Sequence, residues 1–175
     1  MIMEAKILCL ALISLGYPRV ETACEHMETI VQEAEKNDLD PALVVAVIRI
    51  ESRFKKDAVS RANACGLMQV LPQYTKNPKL SCDDLKDPTT NIIVGTKKLN
   101  FWIYKYGKGS VRTGLCGYNA GFRCKGDKKN KAYYGYAVSA LKHHRKIKRE
   151  YEKLKEECYL EESDYWYQCL EYPAE

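Results

Sequence analysis

The chain has 175 residues, a length at which a soluble protein normally forms one domain around its own hydrophobic core. Hydrophobic residues make up 46% of it, and no apolar run approaches the ~20 residues that a membrane-spanning helix needs. The net charge of +5 is modest and spread along the chain, and the sequence does not indicate a basic groove lined with aromatic residues for stacking on bases. These features exclude a stable membrane span and a nucleic-acid partner.

The N-terminus contains a short apolar stretch, residues 7–16, directly behind Lys6. This pattern is typical of the apolar region of a secretory signal peptide. We therefore predict a signal peptide over residues 1–23 and export to the periplasm or the extracellular space. Thr22 and Ala23 before Cys24 also resemble a lipoprotein site, which leaves a lipid anchor at Cys24 open.

The eight cysteines support export, because disulfides form in oxidising compartments. No C-x-x-C pair occurs, so a zinc site is disfavoured and we expect neither a metal nor a cofactor. Without Cys9, which would leave with the signal peptide, an odd number of cysteines remains. One thiol would then be free, lipidated or bonded to another chain. The local pairs Cys116–Cys124 and Cys158–Cys169 are the simplest guesses, and buried reduced cysteines are the alternative.

The hydrophobic pattern predicts helices throughout and no alternating strand, so the expected fold class is all-α. Helices are expected over residues 25–36, 41–54, 88–103, 111–118 and 132–143. We assign residues 24–145 to a globular domain and residues 146–175 to a charged, tyrosine-rich tail with a helix. The apolar stripe of that tail (Ile147, Tyr151, Leu154, Cys158) and its segment Asp164–Tyr167 are expected to dock on the domain. A tail that binds a cell wall or a partner is the alternative.

Glu51 is a carboxylate at the end of a helix that is apolar on almost every side. At helical pitch it shares a face with Val44, Val47 and Ile48, so it should be desolvated. Desolvation disfavours a charged carboxylate and raises its pKa, which lets the acid keep a proton near neutral pH and donate it in catalysis. The alternative is a structural ion pair with a neighbouring basic residue: Arg49, Arg53 or Lys55.

Four motifs follow one another in a characteristic order: Glu51-Ser-Arg-Phe54, Gly66-Leu-Met-Gln69, Gly117-Tyr-Asn-Ala-Gly121 and Tyr136. Their order and spacing resemble the soluble lytic transglycosylase family, relatives of goose-type lysozyme, over roughly residues 34–141. The resemblance implies a lysozyme-like all-α domain that binds peptidoglycan glycan strands. It also implies cleavage of the bond between N-acetylmuramic acid and N-acetylglucosamine, with formation of 1,6-anhydro ends.

The same resemblance assigns a role to each motif residue. Glu51 would donate its proton to the glycosidic oxygen and then act as a base toward the 6-hydroxyl of muramic acid. Ser52 would bind the substrate or orient Glu51, and Tyr136 would place its hydroxyl near Glu51. The remaining predicted substrate contacts are an apolar one from Met68 and polar ones from Gln69, Tyr118 and Asn119.

Two other functions remain open at this point. A hydrolase of goose-lysozyme type would use water as the acceptor and would need a second carboxylate, for which Asp83 or Asp84 would have to reach the cleft. A weakly active wall-binding subunit of a secretion, conjugation or phage apparatus would use the same fold for assembly.

Overall fold

The computed structural model describes residues 1–76, 78–124 and 131–160, and within these ranges the side chains of residues 131–133 and 159–160 are not described. The segment Asp164–Tyr167, Cys169 and therefore the predicted pair Cys158–Cys169 lie outside the described residues. The described residues form seven α-helices, in order α1 (Ile2–Ser14), α2 (Glu21–Glu25), α3 (Met27–Lys36), α4 (Pro41–Glu51), α5 (Pro88–Asn100), α6 (Val111–Ala120) and α7 (Lys131–Leu160).

The all-α prediction is confirmed, because the described part of the chain contains no strand. Only isolated bridges occur there, between Val59 and Cys65 and between Cys65 and Val70. Short 3-10 turns connect the helices, and a π-helical turn over Phe101–Tyr106 extends α5. No helix in these ranges is both long enough and apolar enough to cross a bilayer.

Helix α4 lies in the core and sets the position of Glu51. Asp40 caps its N-terminus, since the carboxylate Oδ1 accepts a hydrogen bond from the amide of Ala42 at 2.9 Å, and Pro41 occupies the first turn. Every residue from Ala42 to Ile48 is buried. The helix ends at Glu51 and not near Phe54, because Arg53 and Phe54 adopt positive φ angles of 53° and 67°.

Helix α7 packs against α1, α4 and α6 and runs without a break through the predicted boundary between residues 145 and 146. The expected docking of the apolar stripe is confirmed at Ile147, which is fully buried, and at Tyr151, which packs against the core. Residues 146–160 therefore continue the last helix of the domain and do not form a separate tail helix.

Helix α1 also belongs to the packed core, with Leu8 and Leu12 nearly inaccessible to solvent. Cys9 on this helix forms a disulfide with Cys24. The removal of residues 1–23 as a signal peptide stays a prediction. The lipid anchor at Cys24 also stays a prediction, because cleavage before Cys24 would remove Cys9 and with it the disulfide that occupies the Cys24 thiol here.

Candidate active site

Helix α4 carries Glu51 and helix α7 carries Tyr136, and the packing of the two helices brings these side chains together. The Tyr136 hydroxyl donates a hydrogen bond of 2.6 Å to the carboxylate Oε1 of Glu51. Glu51 is the last residue of α4, so its side chain leaves the apolar core at the base of an open cleft. In the described part of the chain no ion pair to Glu51 occurs, which disfavours the structural alternative with Arg49, Arg53 or Lys55.

Burial controls the protonation of Glu51. Desolvation raises the pKa of this carboxyl from 4.5 to about 7, and the hydrogen bond from Tyr136 acts in the opposite direction. Burial also raises the pKa of Tyr136 well above its usual value, and the nearby Glu51 adds to that rise. Tyr136 therefore stays a hydrogen-bond donor, while Glu51 can hold a proton near neutral pH.

Tyr118 is a second, partly buried tyrosine near the carboxylate. Its hydroxyl donates a hydrogen bond of 2.7 Å to the main-chain carbonyl of Met68. Burial and the Glu51 charge both raise its pKa well above the usual value. This bond fixes the motif around Tyr118 against the motif around Met68, so two segments far apart in sequence form one wall of the cleft.

Met68 differs from the prediction that its side chain contacts a sugar. The side chain is fully buried, and a Cβ atom added to Gly95 would lie only 2.4 Å from its sulfur. The missing side chain at Gly95 thus creates the space on α5 that Met68 fills. Met68 contributes its carbonyl group to the site, as the acceptor for Tyr118.

Asn91 organises the turn around Gly66 and was not identified from the sequence. Its amide nitrogen donates to the carbonyls of Cys65 and Leu85, and its oxygen accepts from the amide of Met68 at 2.7 Å. Gly66 has a φ of +77°, and a Cβ there would lie 2.1 Å from the Leu85 carbonyl oxygen. The sequence offered one signal for this role, because Asn91 is a polar residue on the buried face of α5, one turn before Gly95.

The cleft has two adjoining parts that meet at Gln69. The part around Glu51 and Ser52, which we call the catalytic end, has a volume of about 380 Å³. The part around Tyr118 and Asn119, which we call the outer end, has a volume of about 500 Å³. Gln69 has a φ of +50°, and its side-chain amide donates to the carbonyls of Ala58 and Gly66, both at 3.0 Å.

Ser52 and Asn119 both line the cleft but differ in their bonding. The Ser52 hydroxyl donates to the carbonyl of Ile48 at 3.2 Å, so in this structure it caps α4 and does not contact Glu51. Asn119 is exposed in the last turn of α6, and its side chain has no hydrogen-bond partner among the described residues. Its amide is available to a ligand at the outer end. Roles in substrate binding stay predictions for both residues.

The second carboxylate that a hydrolase would need is not found at Asp83 or Asp84. Asp84 accepts hydrogen bonds from the Ser81 amide and hydroxyl, and Asp83 pairs with Lys86 while its side chain is 88% exposed. Of the described residues that line the two parts of the cleft, Glu51 alone carries a carboxylate. Within the same ranges no cluster of three or more potential metal ligands occurs.

Two disulfides hold the segments that border the cleft. Cys65–Cys82 ties the turn at Gly66 to the segment that precedes α5. Cys116–Cys124 closes the loop that carries Asn119, so the predicted local pair is confirmed. The Tyr106 hydroxyl also donates to the carbonyl of Cys124. These links constrain the unfolded chain and keep the cleft wall in one geometry.

Comparison with known proteins agrees with this geometry. The family model of the transglycosylase SLT domain matches residues 28–158. A transglycosylase of Enterobacteria phage PRD1 is 34% identical over 120 residues, covering 68% of this chain and 44% of the phage protein. The membrane-bound lytic murein transglycosylase C of Photorhabdus laumondii is 38% identical over 88 residues, covering 45% of this chain and 24% of that protein.

A solved structure supports the same assignment. An inactive mutant of the lytic transglycosylase Slt from Pseudomonas aeruginosa superposes with a TM-score of 0.56 and 25% identity, covering 77% of this chain and 24% of that one. The chain thus spans less than half the length of these relatives. Since the family model covers most of the chain, and the fold and the predicted motifs agree with it, this chain belongs to the transglycosylase SLT domain family.

Proposed function

We propose that this protein is a peptidoglycan lytic transglycosylase that cleaves the β-1,4 bond between N-acetylmuramic acid and N-acetylglucosamine. The observation that carries the proposal is one buried carboxyl, Glu51, whose pKa is raised to about 7 at the base of a cleft. An acid with this pKa is protonated below neutral pH and becomes a competent base once it has lost the proton.

The reaction uses Glu51 twice. The protonated carboxyl donates its proton to the glycosidic oxygen, and the bond from that oxygen to C1 of the muramic acid breaks. The carboxylate then accepts the proton of the 6-hydroxyl of the same sugar, whose oxygen forms a new bond to C1. No water is consumed, the carboxyl ends protonated, and the strand carries a 1,6-anhydro end. Tyr136 keeps Glu51 oriented through its hydrogen bond during both steps.

The hydrolase alternative is less well supported, because an acceptor water needs a second group to hold and activate it. Asp83 and Asp84 are bonded elsewhere and do not line the cleft. Names of relatives, such as lytic murein transglycosylase C, agree with the anhydro-forming reaction.

We further propose that the protein acts outside the cytoplasm, in the periplasm or the extracellular space. Disulfides at three places in the described part of the chain support an oxidising compartment. The phage origin of one relative is compatible with a place in a secretion, conjugation or phage apparatus.

Mass spectrometry of digested cell-wall sacculi tests the proposed reaction, because anhydro ends and reducing ends differ by the mass of one water. We expect the purified protein to release muropeptides with 1,6-anhydro ends. Reducing ends in their place would identify a hydrolase. The absence of any released muropeptide at both acidic and neutral pH would indicate a wall-binding protein without enzymatic activity.

A further inference from the structure

Lys98 lies on α5 with its side chain at the outer end of the cleft. Its ammonium donates a hydrogen bond of 3.2 Å to the main-chain carbonyl of Tyr74 and lies 5.6 Å from the centre of the Tyr74 ring. An ammonium group has three protons to donate. The contact with Tyr74 uses one of them and holds the side chain in place, so two donors remain for a ligand.

No carboxylate in the described part of the chain balances the charge of Lys98. None lies within ion-pair distance of it in residues 1–76, 78–124 and 131–160, and no Asp or Glu is among the described residues that line the outer end. Burial lowers the pKa of Lys98, so the ammonium has already lost part of its hydration in the free protein. A partly dehydrated cation gains more from an anionic ligand than a fully solvated one does.

The surface next to Lys98 is suited to a sugar. Trp102 and Phe122 pack edge to face with ring centroids 5.1 Å apart, and Tyr106 packs on Trp102 at 4.9 Å. Phe122 is nevertheless 68% exposed, so its ring is held by aromatic neighbours while remaining open to the cleft. Apolar aromatic surface with a few placed polar groups is the usual composition of a binding site.

We propose that Lys98 binds a carboxylate of the glycan strand at the outer end of the cleft and makes the protein selective for strands with a negative charge there. This inference rests on the proposed function. Two sources could supply the carboxylate. In an intact strand the lactyl group of muramic acid is joined to the stem peptide as an amide, and the free carboxylates belong to the peptide. After amidase treatment the carboxylate is that of the lactyl group itself.

The test compares Lys98→Met with Lys97→Met, which removes the same charge from an exposed neighbour on the same helix. Each protein is assayed on intact strands, on amidase-treated strands, and on intact strands whose carboxylates have been converted to amides. We expect Lys98→Met to raise KM about five- to tenfold, with a smaller effect on kcat, because it removes a charge-assisted contact in binding. Lys97→Met should behave as the wild type does.

The substrate that responds identifies the source of the carboxylate. A rise in KM on intact strands alone indicates the stem peptide, and a rise on amidase-treated strands alone indicates the lactyl group. A rise on both indicates that either carboxylate is accepted. On the amidated strands the Lys98 variant and the wild type should have equal KM values.

Two results would overturn the inference. One is equal KM values for Lys98→Met and Lys97→Met, and the other is a rise in the KM of Lys98→Met on the amidated strands as large as its rise on the strands that keep their carboxylates. If Lys98→Met does not fold, Lys98→Gln, which keeps a polar side chain, is measured in the same way with the same criteria. A wild-type protein that forms no anhydro product on any substrate would instead refute the proposed function, so the two failures are distinct.

Discussion

Helix α4 carries one carboxylate at each end, and the two have opposite chemistry. At the N-terminus Asp40 pairs with His144 at 3.0 Å and Lys148 at 2.7 Å, and these contacts hold the pKa of its carboxyl well below the usual range despite partial burial. At the C-terminus Glu51 has the Tyr136 hydroxyl as its one side-chain hydrogen-bond partner among the described residues, and burial raises its pKa to about 7.

The difference comes from the residues that α7 presents to the two ends of α4. Tyr136 lies in the N-terminal part of α7, and His144 and Lys148 follow two and three turns later, the latter two one turn apart on the same side of the helix. Because Tyr136 contacts the end of α4 and Lys148 contacts its start, the two helices run in opposite directions. Helix α7 therefore supplies a histidine and a lysine to the structural carboxylate and a hydroxyl donor to the catalytic one.

Glu51→Gln is expected to have the largest effect. The amide keeps the shape of the side chain and an acceptor for Tyr136 but has no proton to donate, so muropeptide release should fall on the order of a hundred-fold or more. Asp40→Asn makes the same chemical change at the other end of α4 and should keep activity within about twofold. Near wild-type release by the Glu51 variant, measured on sacculi, would refute the assignment of the acid.

The same substitution should also stabilise the protein at high pH. A carboxyl whose pKa is raised from 4.5 in the unfolded chain to about 7 in the fold costs stability as pH rises through that interval. At pH 4 the variant and the wild type should unfold with equal free energies. At pH 8 Glu51→Gln should be more stable by on the order of 3 kcal/mol, as measured by urea denaturation. Equal stabilities at both pH values would mean that Glu51 is solvated.

Tyr136→Phe should lower the rate less than Glu51→Gln does, and it should also change the pH dependence of the rate. Without the donor, the carboxylate loses the contact that opposes the rise in its pKa, so the alkaline limb of the pH–rate profile should move upward from about 7. The rate should fall roughly tenfold, since the acid is less well oriented. Tyr118→Phe removes a hydroxyl bonded to a carbonyl and not to Glu51, so its alkaline limb should not move. A limb that stays at the wild-type pH in Tyr136→Phe would show that this hydrogen bond does not control the acid.

The sequence was informative wherever local pattern determines the environment. Helical periodicity predicted the burial of Glu51, and the cap at Asp40 with Pro41 located the start of α4 correctly. Periodicity could not show that Met68 turns inward, since that depends on the space left by Gly95 on another helix. The hydrogen-bond partners of Asn91 and Lys98 could not be predicted either, because they lie in segments whose approach is set only by the tertiary fold.

The two ends of the chain show a different limit of sequence reasoning. The change to charged residues after Lys142 suggested a separate tail, but no Gly or Pro interrupts residues 136–160 and the helix continues. In the N-terminal region, an apolar helix that packs in a core and the apolar part of a signal peptide have the same composition. Composition alone therefore cannot distinguish α1 as a packed helix from a segment that is removed.

Asp40→Asn should have the smallest effect. It should lower the stability of the fold, whereas Glu51→Gln should raise it at high pH. Asparagine still caps a helix, so the change removes only the charged contacts with His144 and Lys148. Because these contacts lower the pKa of Asp40, their stabilisation is present at neutral pH and is lost as the pH falls below ~4.

The expected loss at pH 7 is about 1–2 kcal/mol, a few degrees in Tm, and thermal unfolding at pH 7 and pH 3 measures it. Lys153→Met provides the control, since it breaks the exposed pair with Glu157 at 3.7 Å and should change stability by less than about 0.5 kcal/mol. If Asp40→Asn lowers Tm no more than Lys153→Met does, the pairing at the start of α4 contributes nothing beyond an ordinary surface ion pair. The contrast between the two ends of the helix would then rest on Glu51 alone.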